Sequence, residues 1–297
     1  MKIIWFIRFF ILAALLQSCF SRYAMSEKEL RAHYAGRTDE PEYRRIVNDS
    51  LSLFCAVRGA DTLPPLLLIH GAPGAWYGSR NFLEDTCLTH HFQVIAPDRP
   101  GYNKTRFKRK RKAVTSIALQ ARLLHQALQL NHSGKKAVVV GSSYGGPIAA
   151  KLAIDHPDQY EAVVLLAAAV DPQHETLWWF HPLVWHGPIK WCLPHFMKSA
   201  TDEKHRHIKE LQQLEPHWKT LEVPLIAVQG GADQLVAPVN LNYLKQQLAG
   251  KKASYYYLPE AGHLIRWQYP DLVVSLLLNN PLLQTATSNE NPTGPGY

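Results

Sequence analysis

Three polar residues of this chain each stand directly behind an apolar run, and their types together could move a proton and form a covalent bond. Ser143 is the centre of Gly141-Ser142-Ser143-Tyr144-Gly145 and follows Val138-Val139-Val140; Asp233 follows Leu225 to Ala232; His263 follows Leu258 to Gly262. A serine hydroxyl becomes a nucleophile when a histidine takes its proton, and that histidine needs an acid to orient its ring. The glycine-x-serine-x-glycine spacing suits a strand that turns sharply into a helix. The central residue is then held in a strained backbone conformation, and positions 141 and 145 have no room for side chains. Each residue alone has an ordinary reading, because glycine and serine fill turns, aspartate caps them, and most of 15 histidines are structural or solvated. Asp171, just after another apolar run, rivals Asp233 as the orienting acid. The chain order Ser143, Asp233, His263, each behind a strand, favours the chemical reading.

Acyl transfer through such a serine also needs donors for the negative charge that develops on the attacked oxygen. Leu66 to Ile69 runs into His70-Gly71-Ala72-Pro73-Gly74, a turn that can aim backbone amides at one point. The expected donors are the N–H groups of Ala72 and of Tyr144, with His70 structural. His90-His91 and His205-x-His207 are not joined by a cysteine or acid cluster, so no metal and no organic cofactor is expected.

These residues need a parallel sheet beneath them, and the rest of the chain supplies its pattern. The 297 residues, 46% hydrophobic and 19% charged, have globular composition and suffice for one large α/β core. Strands are predicted near Arg45 to Asn48, Leu51 to Val57, Leu66 to His70, Phe92 to Ala96, Ala137 to Gly141, Ala162 to Ala169, Leu225 to Gln229 and Ser254 to Leu258. The first two form a hairpin around Asn48-Asp49. Ile117, Ala121, Leu124 and Leu128 repeat at helical spacing behind Thr115, a candidate N-cap, and further helices are expected near Tyr144 to Asp155, Pro238 to Leu248 and Pro270 to Leu278. Residues 43–171 and 223–283 make up the two parts of the core. Residues 172–222 interrupt the alternation with Trp178, Trp179, Phe180, Trp185, Trp191 and Phe196 and read as an inserted helical cap, its aromatics mostly core. Residues 284–297 read as a loose tail.

The first 18 residues read as a signal peptide: Lys2 and Arg8 flank an apolar run that ends in Leu16-Gln17-Ser18-Cys19. Cys19 in that setting resembles the lipidated cysteine of bacterial lipoproteins, although Gln17 is an unusual residue there. The expectation is an exported, membrane-anchored protein facing the bacterial periplasm, with residues 19–42 as a linker. From Cys19 onward the chain has 30 basic and 24 acidic residues, net +6. Arg106 to Lys112 is a basic block that suits either an exposed loop or anionic lipid head groups; nucleic acid is a poor match for an exported chain. Cys55, Cys87 and Cys192 are odd in number, so at most one bridge can form among them, and Cys55 reads as a small buried apolar residue.

From Tyr43 to Leu283 the chain resembles the α/β-hydrolase superfamily. The resemblance rests on His70-Gly71-Ala72-Pro73-Gly74, Asp98-Arg99-Pro100-Gly101-Tyr102, the turn around Ser143, Gly230-Gly231-Ala232-Asp233 and Gly262-His263. It implies a mostly parallel, eight-stranded sheet flanked by helices, with Ser143 as nucleophile, His263 as base and Asp233 as acid. Serine at the turn separates the chain from the dehalogenase and epoxide-hydrolase branches, which place aspartate there. Asn103-Lys104-Thr105 and the basic block depart from the family's small-residue loop. The activity implied is hydrolysis of a carboxylic ester, hydrophobic or lipid, through an acyl-enzyme. Proline iminopeptidase-like amide cleavage is the enzymatic alternative, and a membrane-tethered binding protein without turnover is the alternative of another class.

Overall fold

Runs that are apolar on both faces of a strand can be buried only in a sheet covered on both sides, and the predicted runs meet that condition. The structure, a computed structural model, describes residues 25–108, 113–175, 185, 190 and 193–284. Helix α1 (Glu27–Tyr34) leads to the hairpin of β1 (Glu42–Val47) and β2 (Leu51–Arg58), then to β3 (Pro65–Ile69). Two short helices, α2 (Arg80–Glu84) and α3 (Thr86–His91), precede β4 (Gln93–Pro97) and β5 (Arg106–Phe107). Next come α4 (Ile117–His125), β6 (Ala137–Ser142), α5 (Gly145–Asp155), β7 (Tyr160–Leu166) and α6 (His195–Leu214). The chain closes with β8 (Leu225–Gly230), α7 (Asn240–Gln247), β9 (Ala253–Leu258), α8 (Ile265–Gln268), α9 (Pro270–Asn279) and α10 (Pro281–Gln284).

The described strands form one sheet in the order β1-β2-β4-β3-β6-β7-β8-β9, with β5 beside β2. From β4 to β9 neighbours are parallel, whereas β2 runs antiparallel to β1, β4 and β5. Alternate residues serve opposite faces. Leu67, Ile69, Val139 and Val163 pack with Ile117, Ala121, Leu124, Ile148 and Leu152 of α4 and α5. Leu66, Leu68, Val138, Val140 and Val164 pack on the other face with Phe82, Leu83, Leu88, Val273 and Leu277 of α2, α3 and α9. Each fully buried Val or Leu contributes roughly 1.5–3 kcal/mol, so register is strongly held in the central strands that carry the site.

Several expectations are refined. Among the described residues the sheet has nine strands rather than eight, because Arg106 and Phe107 pair with Ser52 and Leu51, a two-residue strand too short to leave a pattern. Strand β7 ends at Leu166 instead of reaching Ala169, since Ala167 turns out of the strand with φ 46°. Ser116, not Thr115, caps α4: its Oγ accepts from Leu119 N at 3.3 Å. The stretch expected as a linker contains α1, which has a capping box between Ser26 and Glu29 and buries Leu30 and Tyr34 on the core. At the hairpin turn, Asn48 Oδ1 accepts from Ser50 N and Leu51 N. Cys55 is buried and free, its thiol pushed up first by burial and then by Asp98; Cys87 is free and exposed.

Between β7 and β8 the described residues of the expected cap include α6, whose Leu211 and Leu214 join the core, and Trp185, stacked on His205 at 3.5 Å. Trp178, Trp179, Phe180, Trp191 and Cys192 lie outside the described residues, as do Met1 to Cys19, residues 109–112 of the basic block and residues 285–297. Among the described residues, no helix is long and apolar enough to cross a membrane.

Candidate active site

Ser143 stands between β6 and α5 with φ 54°, a left-handed conformation that costs a non-glycine residue on the order of 1–3 kcal/mol. Neighbouring backbone holds it there: Ser143 N donates to Leu166 O at 3.0 Å, and Ser143 O accepts from Gly146 N at 2.9 Å and Ala169 N at 3.2 Å. The glycine requirement at 141 and 145 is steric. A Cβ on Gly141 would lie 2.5 Å from Gly145 O, and one on Gly145 would lie 2.4 Å from Ile69 O. The turn is therefore pressed against β3, which carries the loop expected to supply an oxyanion donor.

The ends of β8 and β9 bring the acid and the histidine together. Ala232 N donates to Ala261 O at 3.0 Å, linking the two loops. His263 Nδ1 donates to Asp233 Oδ2 at 2.8 Å, with Asp233's side chain wholly enclosed and His263's partly open. Asp233 Oδ1 accepts from Leu235 N and Val236 N, both at 2.9 Å. Burial works against its charge, but the hydrogen bonds from His263, Val236 and Leu235 outweigh it and hold the carboxyl below its ordinary value. Asp171, the rival acid, is occupied elsewhere: its Oδ2 pairs with His174 Nδ1 at 2.7 Å, and its Oδ1 accepts from Gln173 N at 2.8 Å.

The loop after β3 lies against the serine, so close that a Cβ on Gly71 would stand 3.5 Å from Ser143 Oγ. Gly71 O accepts from His70 Nδ1 at 2.8 Å and from Arg99 Nη2 at 2.9 Å. In a trans peptide the carbonyl and the next N–H point to opposite edges, so pinning Gly71 O fixes the direction of Ala72 N–H. His70 Nε2 accepts from Arg99 N at 3.0 Å, which places the ring proton on Nδ1. Burial, then the charge of Arg99, lowers its pKa well below the usual histidine value, so His70 is a neutral ring that ties the loop to Arg99. Tyr144 is the N-cap of α5, where amides lack intrahelical acceptors, and its hydroxyl donates to Thr115 O at 3.1 Å.

Behind this loop is a buried ion pair that the sequence did not reveal. Arg99 Nη1 donates to Glu203 Oε1 of α6 at 2.7 Å and to Gln120 Oε1 at 2.6 Å; Tyr102 OH donates to Glu203 Oε2 at 2.5 Å. Burial opposes the charge on Arg99, and Glu203 overrides it. No spacing rule joins residues so far apart in the chain.

Ala72, Ser143, Leu166, Leu235, His263 and Arg266 line one cleft of about 130 Å3. A larger groove of about 730 Å3, lined by Glu42, Arg44, Arg58 and His132 among others, contains none of the expected site residues. The cleft can hold a small acyl group against a hydroxyl, a histidine and an amide-bearing loop, an arrangement suited to acyl transfer.

The chain belongs to the α/β hydrolase fold family, whose model matches residues 64–218, just over half of the sequence. It is similar to AB hydrolase superfamily protein YfhM of Bacillus subtilis, 28% identical over 123 residues, 41% of each chain. It is 25% identical over 245 residues to 2-hydroxy-6-oxo-6-(2'-aminophenyl)hexa-2,4-dienoic acid hydrolase of Metapseudomonas resinovorans, covering 70% of this chain and 80% of that enzyme. The match to YfhM spans less than half the length of that protein. A solved membrane phospholipase A shares the fold, with a TM-score of 0.67 and 21% identity, over 97% of this chain and 100% of that one.

Proposed function

We propose that the chain is a serine hydrolase that cleaves carboxylic esters. The observation that carries the reading is the 2.8 Å bond between His263 and Asp233 at the cleft that also holds Ser143 on its strained turn. Ser143 Oγ attacks the ester carbonyl while His263 Nε2 takes its proton. The amides of Ala72 and Tyr144 receive the negative charge, each donor contributing on the order of 3 kcal/mol. His263 returns the proton to the departing alcohol, and water activated by the same histidine hydrolyses the acyl-enzyme. Serine at the turn supports acyl transfer over the epoxide and haloalkane branches, which use aspartate there. Leu166 and Leu235 in the cleft wall support an apolar portion of substrate.

A panel of p-nitrophenyl acyl esters and aminoacyl p-nitroanilides tests the reading. Ester turnover that disappears in Ser143→Ala is expected. Preferential turnover of the anilides would move the assignment to an aminopeptidase, and turnover of neither by folded protein would leave a binding function. We also propose that Cys19 carries a lipid anchor and that Arg106 to Lys112 lies against anionic head groups, on the sequence pattern alone. Cys19→Ala should release the protein from membranes, and continued membrane association would contradict the anchor.

A further inference from the structure

Among the described residues, Arg266 is a half-buried cation that no acid meets. Helix α8 starts two residues after His263 and lays Arg266 along the wall of the cleft that holds Ser143. Its Nη1 donates to Ser142 Oγ at 3.3 Å, its Nη2 is packed against Gly78, and its Nε is enclosed with no acceptor. Among the described residues no carboxylate pairs with it, and burial alone pulls its guanidinium down to about 10, still cationic at neutral pH. Arg99 makes the contrast: more deeply buried than Arg266, it has Glu203 at 2.7 Å together with Gln120 and Gly71 O as acceptors.

Removing a guanidinium from water costs several kcal/mol unless an opposite charge or a full set of acceptors compensates. Ser142 Oγ supplies one long hydrogen bond, which leaves most of that cost uncovered. Arg266 is half-buried and lines the cleft, so the missing acceptors can arrive with a ligand. A planar fork of N–H donors matches a carboxylate better than any neutral group. With Ser142 next to the nucleophile and a cleft of about 130 Å3, an anion on Arg266 would sit only a few bonds from the carbonyl under attack.

We propose that Arg266 selects esters that bear a carboxylate a few bonds from the scissile carbonyl, such as half-esters of short dicarboxylic acids. This rests on the serine-hydrolase reading and sharpens its substrate class.

The test compares p-nitrophenyl hemiglutarate with its neutral isostere p-nitrophenyl valerate, and 4-acetoxybenzoate with 4-acetoxytoluene. The first pair places the charge on the acyl side and the second on the alcohol side. Wild-type protein should favour the charged member of one pair by at least about tenfold in kcat/KM, the yield of a charge-assisted hydrogen bond. Arg266→Gln should collapse that ratio towards one, and Arg266→Lys should restore part of it. Reading a ratio cancels any shared loss of folding or chemistry: an arginine that merely tied down Ser142 would lower both members alike. Hydrolysis of the neutral esters with no preference in either pair would overturn the inference and leave the hydrolase standing. Should no ester be cleaved, the hydrolase reading fails and glutarate binding decides the site. Glutarate should raise the melting temperature of wild-type protein and not of Arg266→Gln; equal shifts or none would overturn it.

Discussion

Asp233→Asn should silence the enzyme while leaving the fold in place, and the geometry gives the reason. Asp233 Oδ1 accepts from two backbone amides, at Leu235 and Val236, while Oδ2 faces His263 Nδ1 and, at 3.3 Å, Gln229 Nε2. An asparagine must keep its oxygen on the two backbone donors, because turning the amide around would confront N–H with N–H twice. Its NH2 then occupies the Oδ2 position and points at His263 Nδ1. The imidazole answers by moving its proton to Nε2, the atom that has to accept the proton of Ser143. A base in the wrong tautomer loses roughly four decades of turnover, about 5–6 kcal/mol of transition-state stabilisation. The assay is steady-state hydrolysis of p-nitrophenyl butyrate alongside a thermal melt. Turnover within tenfold of wild type in a folded variant would refute the reasoning and return Asp171 to consideration.

Four further outcomes follow from the same structure. Gly145→Ala drives a methyl group to 2.4 Å from Ile69 O, so α5 must lift off β3; the melting temperature should drop by several degrees and ester turnover should collapse, whereas a wild-type melt would show the close approach to be wrong. Glu203→Gln strips the buried Arg99 of its counter-charge and should cost about 3–5 kcal/mol in urea unfolding. Glu175, buried against Lys204 and His207, is held at about 2 by those two partners, which outweigh the opposing effect of burial. Its folded value lies below the unfolded value of about 4.3, so it stabilises the fold above that pH, by up to about 3 kcal/mol, and the gain drains away as pH falls towards 2. Glu175→Gln should flatten that portion of an acid-unfolding curve. Ser116→Ala removes the cap of α4 and should cost about 1 kcal/mol, read in the same urea melts.

Much of the site was legible because its signals are local. Gly141 is imposed by the turn's own backbone, Gly145 by its approach to Ile69 O of β3 yet readable from the same five-residue spacing, and Asp233 and His263 follow strands whose apolar runs are dense enough to read. The strand list succeeded for the same reason, with Leu66 to Ile69 and Val138 to Val140 buried on both faces. Two-residue β5 was lost because no periodicity exists over two residues, and Ser116 was lost to Thr115 because both are good caps one position apart. Chain order and the family resemblance favoured Asp233 over Asp171, and the fold brings Asp233 to His263 while Asp171 pairs with His174. The Arg99–Glu203 pair and Arg266, which pairs with no acid among the described residues, were illegible because ion pairing across the chain leaves no spacing in the sequence.

The central claim is that Ser143 is the nucleophile, and one labelling experiment addresses it directly. Folded protein is treated with a fluorophosphonate, its intact mass is measured, and the modified residue is located by peptide mapping. One phosphonyl group on Ser143 is expected, absent from Ser143→Ala and strongly slowed in His263→Ala. An unlabelled wild-type chain, or a label on any other residue, would contradict the account.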